Sequence, residues 1–313
     1  MLLRTKTVHG KKYYYLDFSY RVLSKLKTFS KYIGAKKPSE IELAKIEQAF
    51  KSEIVSRISG KEYTNELISK DDLIKALLFK EAFNKKFASL SKVQKRKYEI
   101  DSTILFTLTT LATENVDVSL GDVINAFEKD RQLGVREQIS KNMLKAVESI
   151  KEKHALNKKY LLGLHKTIMA SFEGKTPGRI RHRQVYLHKQ GPKNPFGIEI
   201  GYRPPSPGKV NELLGEFVKW YNSTELNPIE KAAIAHYKIY KIHPFLDGNK
   251  RICRLILNNA LIGEGFPLLN ISSKKEPYFQ TLITAVEKNQ PEKVAEFTLK
   301  EFLSQTKQFL KQN

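Results

Sequence analysis

One cysteine, Cys253, serves the whole 313-residue chain. That excludes an internal disulfide framework and any cysteine-cluster zinc site. Its place in an apolar stretch favours a packing role and a reducing compartment. Long apolar runs are lacking as well, so no segment reaches the roughly 20 residues that a membrane-spanning helix needs. The first residues, MLLRTKTVHG, contain no apolar core of a signal peptide. The expectation is a soluble, cytoplasmic protein with no membrane partner. Acidic residues are scarce: 33 Asp+Glu stand against 55 Lys+Arg, a net charge of +22. The excess is diffuse, with 23 basic and 11 acidic residues in the first hundred and 32 against 22 in the remainder. Diffuse lysine mainly keeps a protein soluble, so nucleic acid is a possible but not a favoured partner. What is present is an apolar share of 41%, enough for a proper core.

The most informative stretch runs His243-Pro244-Phe245-Leu246-Asp247-Gly248-Asn249-Lys250-Arg251-Ile252-Cys253-Arg254. Glu230 to Lys241 before it has helical composition, and Ile252 to Ile262 after it is apolar on nearly every side, the pattern of a buried helix. A buried helix that opens on Gly-Asn and two arginines is suited to an anion. The N–H groups of Gly248, Asn249 and Lys250 fall at the helix start, where they lack partners within the helix. Gly248 permits close approach and positive φ. Arg251 and Arg254 lie three apart, on one face, spaced to grip the phosphates of one nucleotide. Asp247 is a candidate ligand for Mg²⁺, which needs only one or two protein carboxylates. His243 is the candidate general base.

These residues match every fixed position of the Fic signature, His-Pro-Phe-x-Asp/Glu-Gly-Asn-Gly/Lys-Arg-x-x-Arg, and the chain resembles the Fic family. The resemblance implies a mainly α fold, a Fic-type helical bundle with a β-hairpin flap beside the active site. It also implies transfer of AMP from ATP to a hydroxyl side chain of a protein target, with Mg²⁺ as cofactor. Thr110-Leu111-Ala112-Thr113-Glu114-Asn115 resembles the family's inhibitory motif, Ser/Thr-x-x-x-Glu-Gly/Asn. By that resemblance Glu114 pairs with Arg254 and denies it to the ATP γ-phosphate. From Glu173 to Pro207 glycine, proline and short β-rich pieces replace helical periodicity, matching the flap, with Val185 and Tyr186 as its target-positioning residues. A homodimer is compatible with the family. Lys250 is a departure, because most AMP-transferring relatives carry glycine there. Doc toxins of the same superfamily have Asn-Lys-Arg and act as kinases, so protein phosphotransfer is the second reading.

Elsewhere the chain reads as helices with one exception. Arg4 to Val8, His9-Gly10 and Lys12 to Tyr20 read as a basic β-hairpin at the front of an N-terminal region, 1–100, followed by the Fic domain, 101–313. Its aromatics, Tyr13, Tyr14, Tyr15, Phe18 and Tyr20, either stack on bases, as in a nucleic-acid-binding regulator, or pack on a helix beneath. Packing is the favoured expectation. Ser39 and Glu42 form a capping-box pattern for a helix from Glu40 to Ile58, ended by Ser59-Gly60. Further helices are expected at 65–90, 91–110, 122–132, 135–153, 157–171, 210–221, 276–288 and 292–310. His165 and His236, on apolar helices, read as packed histidines.

Overall fold

The computed structural model describes the chain except residues 115, 130–131, 153–154, 190–198, 272–274 and 313. It is mainly helical and falls into two compact units, Met1–Ser89 with Thr306–Asn313, and Leu90–Gln305. The division comes at Ser89/Leu90, where the sequence reading put it at 100/101.

In the first unit β1 (Leu2–Val8), β2 (Lys11–Val22) and β3 (Lys25–Gly34) form an antiparallel meander in the order β1-β2-β3. The first turn has positive φ at both His9 and Gly10, the geometry whose twist suits a two-residue hairpin. The second turn, Leu23-Ser24, puts Leu23 at φ 53°. No glycine announces it, and so β3 was not foreseen. α1 (Glu40–Ser59) starts on the expected capping box, with Ser39 and Glu42 bonded reciprocally, and stops at left-handed Gly60. α2 (Lys70–Ser89) begins later than the periodicity implies, because Ser69 caps it by accepting from the Asp72 N–H.

The second unit holds α3 (Lys92–Ala112), α4 (Leu120–Glu128), α5 (Val135–Lys151), α6 (Lys158–Met169), β4 (Leu187–His188), β5 (Ile200–Tyr202), α7 (Pro207–Ser223), α8 (Pro228–Ile242), α9 (Asn249–Gly263) and α10 (Lys275–Lys288). α11 (Glu292–Lys311) belongs mostly to it. α9 is the axis: Ile252 to Leu261 are all buried, with α8 packed along it and α3, α5 and α6 around it. Ala232, Ala233 and Ala235 keep the α8 face low, so α8 lies close to α9. Asn258 locks the far end of α9, accepting from the Leu269 N–H and donating to the Leu269 carbonyl. The axis thereby delivers its N-terminus, Gly248-Asn249, to a fixed point.

Candidate active site

The loop between α8 and α9 is held by its own side chains. His243 ends α8 at φ 50°, a left-handed residue that turns the chain sharply. Asn249 then closes the loop: its carbonyl oxygen accepts from the Phe245 N–H at 3.0 Å, and its NH₂ donates to the Phe245 carbonyl at 2.9 Å. Both polar atoms of the Asn249 side chain are thus engaged within the loop. Gly248 has φ 77°, and a Cβ there would meet Met169 Sδ at 2.8 Å and His165 Nε2 at 3.3 Å. Neither the backbone nor the space admits another residue.

Two residues support the loop from behind. His165 lies flat on Phe245, ring centroids 3.6 Å apart and planes within 4°. Its Nδ1 accepts from the Gly178 N–H at 2.9 Å, so Nε2 carries the proton and donates to the Asp247 carbonyl at 3.0 Å. Burial pulls its pKa down to about 4, consistent with a neutral, packed ring. Arg181 is buried and donates to the carbonyls of His243 (2.8 Å), Arg183 (3.2 Å) and Pro205, while its own N–H donates to the Pro244 carbonyl (2.9 Å). Sequence reasoning missed Arg181, because a single arginine in a loop carries no pattern.

In front of the loop lies a cavity of about 260 Å³. Glu114, Tyr186, Leu187, His188, His243, Asp247, Gly248, Asn249 and Lys250 border it, together with Tyr240, Phe279 and Ile283. Tyr186 borders the cavity, whereas Val185 does not. The Val185 carbonyl accepts from Gln184 instead. The flap strands are shorter than expected: β4 and β5 pair through Leu187 with Tyr202 and His188 with Ile200. Part of the expected strand Gly197 to Tyr202 lies outside the described residues.

His243 Nδ1 sits 3.3 Å from the Tyr240 carbonyl, an acceptor only, so Nδ1 carries the proton and the Nε2 lone pair is free. Burial lowers its pKa to about 3, and the nearby Lys250 and Arg181 add to the effect. The His243 ring is therefore unprotonated throughout the neutral range. Burial pushes the Asp247 carboxyl up, but Lys175 (3.0 Å), Arg251 (3.3 Å) and the Gly248 N–H (2.7 Å) outweigh it and hold the group below the usual carboxylate range. Among the described residues no cluster of three metal-ligating side chains occurs. One partly exposed carboxylate, released from the exposed Lys175, nevertheless fits Mg²⁺, which takes most of its ligands from phosphates and water.

Arg251 and Arg254 are each 1% exposed. Their planes rest on Phe172 and Tyr278, at 4.7 and 4.4 Å from the ring centres. Nε and Nη1 of Arg251 and Nε and Nη2 of Arg254 have no hydrogen-bond partner. The expected ion pair between Glu114 and Arg254 is not formed. Arg254 Nη1 donates to the Thr109 carbonyl at 3.3 Å, and Glu114 Oε1 is buried without a partner. Glu114 follows the Thr113 cap of α3, its N–H bonded to the Leu111 carbonyl, and it borders the cavity. Lys250 borders the cavity too, its Nζ 4.0 Å from the Phe279 ring centre.

Comparison with known proteins bears on this loop directly, since residues 155–261 match the Fic/DOC family. This chain carries a Fic/DOC domain. It is 35% identical over 133 residues to protein adenylyltransferase fic-1 of Caenorhabditis briggsae, covering 41% of this chain and 24% of that protein. It is 34% identical over 143 residues to protein adenylyltransferase Fic of Drosophila erecta, covering 44% and 26%. The matched Fic region thus spans about a quarter of these relatives' length. Among solved structures the fold resembles a Fic family protein from Desulfovibrio desulfuricans (TM-score 0.63, 20% identity, covering 79% of this chain and 76% of that one). It also resembles Fic-1 of Caenorhabditis elegans (0.60, 21%, 85% and 73%).

Proposed function

We propose that the Fic domain transfers AMP from ATP to a hydroxyl side chain of a protein target. The observation that carries this reading is a pair of buried guanidinium groups with unpaired N–H donors, set on the helix whose N-terminus opens into the His243 cavity. A buried guanidinium N–H without an acceptor is costly, and an anionic ligand supplies the missing acceptors. ATP phosphates fit the backbone N–H groups of Gly248, Asn249 and Lys250 together with Arg251 and Arg254. Asp247 would hold Mg²⁺, which supplies positive charge to the phosphates. His243 Nε2 takes the proton of the target hydroxyl, whose oxygen forms a bond to the α-phosphorus, and the bond to pyrophosphate breaks. Tyr186, with the flap, borders the side from which a target segment reaches His243, and strand addition along β4–β5 would align it. Names of the relatives, all protein adenylyltransferases, agree with this chemistry.

Glu114 restrains the site. Its carboxylate stands in the nucleotide cavity, where it repels phosphate by like charge. A rotation toward Arg254 would also occupy that arginine. Glu114→Gly should therefore raise transfer in the presence of Mg²⁺ and ATP. Carrying ATP labelled at the α- or the γ-phosphorus through this variant tests the reaction. Label from the α position alone supports AMP transfer, whereas label only from the γ position means phosphotransfer, with Lys250 beside the phosphates as its cause. No label from either source, in this variant and in the wild type, would remove the enzymatic reading.

A further inference from the structure

The basic N-terminal sheet sorts its aromatic residues differently from the sequence expectation. Leu16 and Phe18 are buried and Phe29 is paired with Phe18, so this face lies against α1 and α2, with Lys31 bonded to Glu53 and Lys27 to Glu81 at its margins. The period of two then sends Tyr13 and Tyr15 to the opposite face. There Arg4, Tyr15 and Tyr32 stand side by side across all three strands. Ring centroids of Tyr15 and Tyr13 lie 5.3 and 6.3 Å from that of Tyr32, with planes inclined by 55° and 48°. The rings fan out instead of covering one another, and Tyr32 is 53% exposed.

The net charge on this face is positive. Lys6, Lys11 and Arg21 share it by strand alternation, are exposed and have no ion pair. The first 37 residues contain a single acid, Asp17. It shares this face, forms an ion pair with Arg4 at 2.5 Å and accepts from the Ser30 hydroxyl at 2.5 Å. Arg4 also lies over Tyr15, 4.8 Å from its centre.

We propose that this face binds single-stranded nucleic acid, with bases on Tyr13, Tyr15 and Tyr32 and phosphates on Lys6, Lys11 and Arg21. A sheet that offers aromatic rings can stack only bases whose faces are open, and these exist in single strands. A duplex hides base faces in its own stack, and its major groove admits a helix or a two-stranded ribbon, narrower than this three-stranded face. An acidic protein would satisfy the cations but leave the fan of rings without a role.

Fluorescence anisotropy with the full chain tests this. The probes are a labelled single-stranded RNA and DNA of about 12 nucleotides and the corresponding duplex, at graded salt from about 50 to 200 mM. Single strands of either sugar should bind at least about tenfold more tightly than the duplex. Tyr32→Ala should weaken single-strand binding by about tenfold or more without altering the salt slope, and Tyr32→Phe should restore it. Lys6→Gln and Lys11→Gln should each flatten the salt dependence by about 0.7 in logarithmic slope. Equal or better binding to the duplex would overturn the proposal. So would Tyr32→Ala binding like wild type, or no single-strand binding at the lowest salt, in protein whose circular dichroism shows an intact fold.

Discussion

The two sides of the α8–α9 loop use buried arginine in opposite ways. Behind the loop, Arg181 spends its N–H groups on the carbonyls of His243, Arg183 and Pro205. Arg251 and Arg254, in the first turns of α9, are equally buried and do not border the cavity, yet each keeps two nitrogens without a partner among the described residues. A protein retains a paired buried cation because it holds the chain in place. It retains guanidinium N–H groups without acceptors despite the cost, and the compensation must come from outside the fold. The rear of the loop is therefore scaffold, and the proposed function assigns Arg251 and Arg254 to negative charge.

Substitutions at the two sides should separate these roles. The largest effect is expected at His243, which belongs to neither arginine set: His243→Ala should lower transfer by about 10²–10⁴-fold while ATP affinity is nearly kept, since the base acts on the acceptor hydroxyl. Single-turnover rates beside calorimetric ATP titration read both. Next comes Arg181→Met, which leaves buried carbonyls without donors and should destabilise the domain by about 3 kcal/mol. Gly248→Ala should cost a similar amount, about 2–3 kcal/mol, through left-handed φ and contact with Met169. Denaturant unfolding measures both, and a change under about 0.5 kcal/mol in either would break the scaffold side of the comparison.

Acid should reveal the same scaffold more gently. His165, His236 and His243 are held neutral by burial, with pKa values near 4, 3 and 3, below the ordinary 6.5. The unfolded chain binds their protons first, so the stability they confer is complete above about pH 6.5 and is lost as pH falls toward 3–4. Unfolding midpoints measured from pH 8 to 4 should fall mainly below 6.5. A flat profile would mean that these rings are not buried as described. For the same reason, kcat/KM should show no inflection from His243 near 6.5, since the free enzyme's base is already unprotonated there.

Much of this was legible in the sequence, and the failures have physical causes. The helices were legible because their apolar spacing and caps are local, as at Ser39 with Glu42 and at Gly60. Local order also exposed the 243–254 motif, since its residues are consecutive. Arg181 was invisible because its role depends on carbonyls brought together by the fold. The role of the Asn249 side chain in closing the loop was not legible, because it depends on the left-handed turn at His243 that brings Phe245 within its reach. The Glu114–Arg254 pair fails for want of side-chain direction, which a motif does not encode. In the N-terminal sheet, β3 was missed because Leu23 makes a turn with none of the usual turn residues, and without β3 the partner of Tyr15, Tyr32, could not be named.

The receptor side is tested most directly by Arg254→Met, with ATP affinity and nucleotide-free stability measured on the same preparation. Removing a buried guanidinium whose one hydrogen bond among the described residues is the 3.3 Å contact with the Thr109 carbonyl should leave the unfolding free energy nearly unchanged. ATP binding, measured by calorimetry, should weaken by about tenfold or more, the value of a lost charge-assisted contact. Unchanged ATP affinity together with a marked loss of stability would contradict the account, because it would place Arg254 with Arg181 in the scaffold.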